Sequence, residues 1–443
     1  MDSLVWTIVS VVATVLLVVA VGVLFFWYAR NREGRDPRDP LPARFWIETA
    51  PPTRQWEQWG APQLCQWARS LKAAESTRAD EERSEEKEDA FGLGIDASGS
   101  GEHVLVYVSS RRVALFCANK QTDTWESDGL PILPVVCMSP HGQYAAVLCT
   151  NPDENTEGFV WVLPIRDQAF QKAEAQRLEL ARHDVLRVYW DQQEDTSLYV
   201  AYVDEENRGC VVHYHNTPFD VAFREQQLLH PPEPADLDGF GYALVAHDRN
   251  LLIASTAHIW HGVRKGRTDP WRHWMTLQVP QVANILWGSE IALSEDGCFL
   301  AIASPYDNVG RVERAGRIYM IERESATSDW DPRVRTLTHP FEPHEDGLFG
   351  FRMVLRGSHL VVVELGGSGE AAFVFQYDWR TRQLVQMLST EDAHVDEDAR
   401  MGMGVGLVVH KKANDEASRP TLLISQNFAE DAHRHGNVQV LTG

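Results

Sequence analysis

The chain has 443 residues, 44% of them hydrophobic and 23% charged, a usage that excludes both a disordered polymer and a polytopic membrane protein. Its formal charge of -22, from 41 basic and 63 acidic residues, argues against nucleic acid and against anionic lipid surfaces, which both select a basic footprint. Length alone suggests two or three domains, although closed β architectures extend further as one unit.

Leu4 to Tyr28 contains no charged residue. As a helix, these 25 residues span about 37 Å, enough to cross a hydrocarbon core of about 30 Å. Trp6 stands near one end and Phe25, Phe26, Trp27 and Tyr28 at the other, where interfacial aromatics belong. Only Met1, Asp2 and Ser3 precede the run, and no small-residue cleavage site follows it. Residues 1–28 are therefore expected to be an uncleaved single transmembrane α-helix rather than a signal peptide. Arg30, Arg32, Arg35 and Arg38 follow the span, which places the N-terminus outside and the rest toward the cytosol or an equivalent compartment. Six cysteines without paired spacing and the lack of an Asn-X-Ser/Thr sequon agree with a reducing environment. An intermembrane or extracellular placement is the alternative, and an organelle membrane is compatible with either.

Residues 29–90 form a second region. Pro37, Pro40, Pro42, Pro51, Pro52 and Pro62 predict an extended spacer. Phe45, Trp46, Trp56 and Trp59 are too apolar for a solvated linker and are expected to bind a partner or pack on the following domain. From Pro62, Leu64, Trp67, Ala68 and Leu71 recur at helical spacing, which predicts a short amphipathic helix. It runs into the acidic segment 72–90, read as a solvated linker.

From residue 91 to residue 443 the pattern becomes short β-like runs separated by turns, which predicts an all-β domain. Several stretches share one template, in which an aromatic-Gly pair opens a strand, a turn follows, and two further strands complete the unit. The clearest begins at Trp287-Gly288, with its turn at Glu295-Asp296-Gly297 and later strands at Phe299–Ala303 and Arg317–Ile321. Others begin at Phe349-Gly350, Phe91-Gly92, Phe240-Gly241 and, in degenerate form, Met401-Gly402. Val135–Leu163 and Val185–His215 keep the strands without the pair. A period of about 40 to 60 residues signals a propeller or solenoid, here a seven-bladed β-propeller. The last strand, Asn437–Leu441, lies almost at the C-terminus, so an outer closing strand is expected from upstream, with Phe45–Thr49 and the stretch around Trp56 as candidates.

The copies resemble FG-GAP repeats, the blades of the propeller at the head of integrin α chains. Trp287-Gly288 stands for the FG pair and Ala303-Ser304-Pro305 for the GAP segment, although other copies lack the latter. The competing WD-repeat pattern lacks its regular Trp-Asp pair, since Trp190-Asp191 and Trp330-Asp331 sit at unlike positions. The resemblance implies calcium loops between strands, and Asp153, Asn155 and Glu157 before Gly158 are the nearest match, with alternating oxygen ligands. Arg208 spoils the same spacing at Asp204, and loss of the cation site is favoured over its use, so no cofactor is expected.

Histidines cluster at His213 with His215, at His258 with His261 and His273, and at His433 with His435, without further ligands at a fixed spacing to complete a zinc set. A P-loop, a dinucleotide fingerprint, Gly-x-Ser-x-Gly and His-Glu-x-x-His are all missing from the sequence, and no catalytic residue is nominated. The expected function is a non-catalytic, membrane-anchored scaffold, an accessory subunit with protein partners in or at the membrane. A cell-surface adhesion or receptor propeller is one alternative, and a propeller hydrolase or lyase with a central-channel site is another.

Overall fold

The computed structural model describes residues 92–442, apart from 118–119, 128–130, 151–157, 181–183, 205, 207, 218–219, 233–238, 256–257, 278–287, 367–371, 390–398, 411–418 and 429–436. Strands follow one another in antiparallel sheets in chain order. The first blade contains β1 (Ile95–Ala97), β2 (His103–Ser109), β3 (Arg112–Cys117) and β4 (Lys120–Glu126). The second contains β5 (Ile132–Met138), β6 (Tyr144–Thr150) and β7 (Gly158–Arg166), with β8 (Ala169–Phe170) and β9 (Gln176–Glu179) both paired to β7. In the third lie β10 (Asp184–Trp190), β11 (Ser197–Val203), β12 (Gly209–Thr217) and β13 (Asp220–Leu229). The fourth is built from β14 (Leu244–His247), β15 (Asn250–Ala254), β16 (Ile259–Val263) and β17 (Arg272–Thr276). Next come β18 (Ile291–Leu293), β19 (Phe299–Ser304), β20 (Arg317–Glu322) and β21 (Arg335–Leu337), then β22 (Arg352–Arg356), β23 (His359–Glu364), β24 (Phe373–Asp378) and β25 (Gln383–Ser389). A final sheet holds β26 (Ala399–His410), β27 (Arg419–Phe428) and β28 (Asn437–Thr442).

The first strand of each sheet packs on the first strands of its neighbours, and β26 lies between β22 and β1, so the ring closes. The chain is a β-propeller. The expectation of a seven-bladed propeller is corrected to six complete blades, and the last sheet has three strands among the described residues. A repeat pattern reports strand-like runs, whereas a complete blade depends on which strand pairs at its outer edge. Phe45–Thr49 and the stretch around Trp56, the two candidates to close that edge, lie outside the described residues, as do the acidic segment and Leu4–Tyr28. No helix among the described residues is long and apolar enough to cross a membrane.

The second strands explain why the sequence reads as continuous apolar runs. In β6, β15, β19 and β23 nearly every residue is buried, because a blade has a neighbour on each face and both sides of its middle strands are covered. Outer strands such as β17 face water instead. The core is accordingly a set of interblade layers. One joins Ala301, Ala303 and Ile318 to Phe349, Leu360 and Phe375, and another joins Tyr199 and Val211 to Phe240, Leu251 and Trp260.

Two of the aromatic-Gly pairs, Phe240-Gly241 and Phe349-Gly350, sit at these joints. Phe240 and Phe349 are completely buried, and the amide of the following glycine donates to the end of the second strand, Gly241 to Ala254 O and Gly350 to Val363 O, at 2.9 and 3.0 Å. Gly241 has φ +97, and a Cβ there would stand 2.7 Å from the Ala201 Cβ of the preceding blade. Only glycine tolerates both that conformation and that approach.

Candidate functional site

Asp153, Asn155 and Glu157, and the aromatics Phe45, Trp46, Trp56 and Trp59, all lie outside the described residues. Of the clustered histidines, His213 and His261 are buried inside blades. His213 Nε2 and His215 Nδ1 each lie 3.2 Å from Ser197 Oγ, which donates to Glu194 Oε1 at 2.9 Å. Despite its serine, imidazoles and carboxylate, this group is a structural knot. Ser197 and His213 are buried, His213 stacks on Tyr199 at 4.5 Å, and desolvation, with help from Arg264, pushes the His213 imidazole down to about 3. His261 is likewise enclosed, 2.9 Å from Asn250 Oδ1 and approached by Trp330 Nε1, whereas His273 is exposed. His433 and His435 fall outside the described residues.

The inner strands bring a second polar group together. Glu290, just before β18, accepts from Arg187 Nη1 of β10 at 2.9 Å and from Arg352 Nη1 of β22 at 2.7 Å. Desolvation raises its carboxyl, but the two guanidiniums outweigh it and the net shift is downward. One carboxylate thus links blades three, five and six where inner strands converge. On two other inner strands, Asp96 of β1 accepts from the Met138 amide of β5 at 2.8 Å, and burial raises its carboxyl.

A cleft of about 540 Å³ is lined by Arg311, Val312, Glu313, Glu342, Pro343, His344 and Glu345. It lies between two connections, 305–316 from β19 to β20 and 338–351 from β21 to β22. Pro305, Pro340 and Pro343 remove the amides that strand pairing needs, so both segments run as loops. They are nevertheless held. Asp346 N donates to Glu313 O, Leu348 N to Arg314 O and Phe349 N to Ala315 O at 2.9 to 3.1 Å. Arg314 Nη2 donates to Asp346 Oδ2 at 2.8 Å, and Tyr319 OH donates to Asp307 Oδ2 at 2.6 Å at the buried root of the first loop. Phe341, 38% exposed, stands beside this wall. A firm wall with charges of both signs and an exposed aromatic suits ion-paired recognition of a protein surface. No residue of these two loops was expected from the sequence to bind a partner. The usable signal was the crowding of acids, prolines and two histidines between His339 and Asp346.

No family model matches the chain, and no curated protein matches it. Among solved structures it is similar to the Dos1 propeller, with 11% identity, a TM-score of 0.46 and coverage of 79% of this chain and 77% of that one. Sqt1 of Saccharomyces cerevisiae follows at 10% identity and a TM-score of 0.45, covering 80% of this chain and 97% of that one. The WD40 domain of SCAP from fission yeast is similar at 11% identity and a TM-score of 0.43, covering 80% and 84%. At these values the propeller assignment rests on the strand order and the closed ring.

Proposed function

We propose that this chain is a non-catalytic interaction platform, held at a membrane by Leu4–Tyr28 and serving as an accessory or scaffold subunit of a membrane complex, with its propeller on the cytosolic or equivalent side. The observation that carries this reading is where the chemically capable side chains are committed. Ser197 is bonded to both His213 and Glu194, and Glu290 is bonded to two arginines across blades. The 305–316 and 338–351 loops, by contrast, present charge around an open cleft. The apolar run and its arginine flank support the tether. The FG-GAP resemblance favours a second reading, an adhesion or receptor propeller of opposite topology.

Full-length tagged protein extracted in mild detergent tests the platform. We expect a stoichiometric protein partner that is lost when the cleft is charge-reversed by Arg311→Glu with Glu313→Arg. Recovery as a lone monomer would count against the platform. Protease digestion of sealed membranes separates the topologies, since cleavage of the propeller from the outside removes the cytosolic placement.

A further inference from the structure

His339, His344 and Glu364 converge as metal ligands do. One potential donor atom from each lies within 4.8 Å of the other two. The two histidines belong to the link from β21 to β22, and Glu364 reaches the same point from the end of β23. Their His-x4-His spacing falls within the range by which zinc is commonly held.

The surroundings hold these donors in place. His339 is 3% and Glu364 0% exposed. The His344 ring lies parallel to Phe373 at 5.8 Å, and His339 meets Phe373 and Phe375 edge-on at 5.5 and 5.1 Å. Gly347 leaves room for the carboxylate, because a Cβ there would collide with Glu364 Oε1, and the Gly347 carbonyl accepts from Leu365 N at 3.0 Å. The link is thereby pinned to the strand that carries the third donor. Convergent donors on a pinned frame are what a metal site requires, and a divalent ion offsets the cost of burying a carboxylate.

We propose that His339, His344 and Glu364 bind one divalent transition-metal ion, zinc by the chemistry of two imidazoles and a carboxylate. His339 uses Nε2, which faces Glu364 Oε2 at 3.7 Å. Its Nδ1 accepts from Phe341 N at 3.2 Å, so metal binding moves the ring proton to Nδ1 and gives up that bond. Since His344 also lines the cleft, water or a donor from a bound partner reaches the ion from that side. The ion ties the β21–β22 link to blade six and stiffens one wall of the cleft.

The test uses the full-length chain in detergent, stripped with a chelator and then titrated with Zn²⁺ or Co²⁺. The expected result is one tight equivalent of zinc, a cobalt d–d spectrum of low-coordinate nitrogen and oxygen ligation, and a rise in melting temperature on zinc addition. His344→Ala and Glu364→Gln each weaken zinc binding by at least about tenfold, while His273→Ala, at an exposed histidine, leaves it unchanged. His344 is only partly buried, so its variant decides the matter even if Glu364→Gln fails to fold. The proposal is overturned if the chain takes up no zinc, or if His344→Ala binds it as tightly as the unaltered protein.

Discussion

Two glycines in the same loop isolate what a single backbone position contributes. Gly310 and Gly316 have φ of +63 and +86, a region where an L side chain costs about 1 to 2 kcal/mol. Nothing lies within 4 Å of a Cβ built at Gly310, whereas one at Gly316 would collide with the backbone of Phe349 in the next blade. Gly310→Ala should therefore lose about 1 kcal/mol, and Gly316→Ala about 3 kcal/mol or more, through the added overpacking of a joint that cannot open. Denaturant unfolding of the pair checks this, and equal losses would show that the joint is compliant. The sequence marked Phe349 as a blade opener, but it could not mark Gly316 as the residue against which that opener closes.

Between elements, the joint of blades three and four turns on Arg264. It leaves the end of β16 and reaches Asp191 Oδ2 and Glu194 Oε1, in the β10–β11 turn, at 3.3 and 3.2 Å. It also donates to Asp248 O and Arg267 O at 2.7 and 2.6 Å, and its guanidinium lies 4.5 Å from the Trp271 ring. The side chains of Arg264 and Asp191 are both fully enclosed. Burial pushes the Asp191 carboxyl up to about 7, against the pull of the Gln193 amide and the nearby arginines. Removing the cation leaves that carboxyl buried and unmatched, so Arg264→Met should cost about 3 to 5 kcal/mol. Adding Asp191→Asn should restore part of the loss, and a double-mutant cycle measures it. No recovery would mean that the arginine acts through packing on Trp271 alone. The connecting turns themselves were more legible. Ser98–Gly101, Ser139–Gly142 and Ser294–Gly297 close three hairpins with the same hydrogen bond from the glycine amide to the serine carbonyl, and the Ser-x-x-Gly spacing is visible in the chain.

For the molecule as a whole, folding takes several histidines out of water in the neutral form. Desolvation lowers His213 to about 3 and His261 to about 4, with Arg264 and Arg323 adding to the effect. Desolvation also lowers His103, His247 and His359. In the unfolded chain these groups bind protons near pH 6.5, so below that value the unfolded state holds more protons and stability falls with acidification. The contribution is complete above pH about 6.5 and is lost progressively as pH drops toward the folded values near 4 and 3. Asp191 opposes this, because a carboxyl raised to about 7 in the folded state takes up its proton with a gain in stability as pH falls. Chemical denaturation should show the histidines' decline from about 6.5 to 4 partly offset by it, with a shallower decline in His261→Gln and a steeper one in Asp191→Asn. A pH slope in His261→Gln as steep as in the unaltered protein would show that this imidazole is not buried neutral.

What the chain determined by itself is what neighbours in sequence can determine. Alternation, turn residues and aromatic-Gly pairs depend on local φ, ψ and on whether a strand has one covered face or two, so individual strands and the openings at Phe240-Gly241 and Phe349-Gly350 were readable one at a time. The partners of Glu290 stand 103 and 62 residues away, and Glu364 meets His339 and His344 only because β23 and the β21–β22 link end at the same corner of the ring. Blade completeness was decided in the same way, by the pairing of an outer edge rather than by the residues within it. Radial packing brings remote side chains together without leaving a period in the sequence, and for that reason the cross-blade charge link, the cleft and the convergent ligands belong to the tertiary structure.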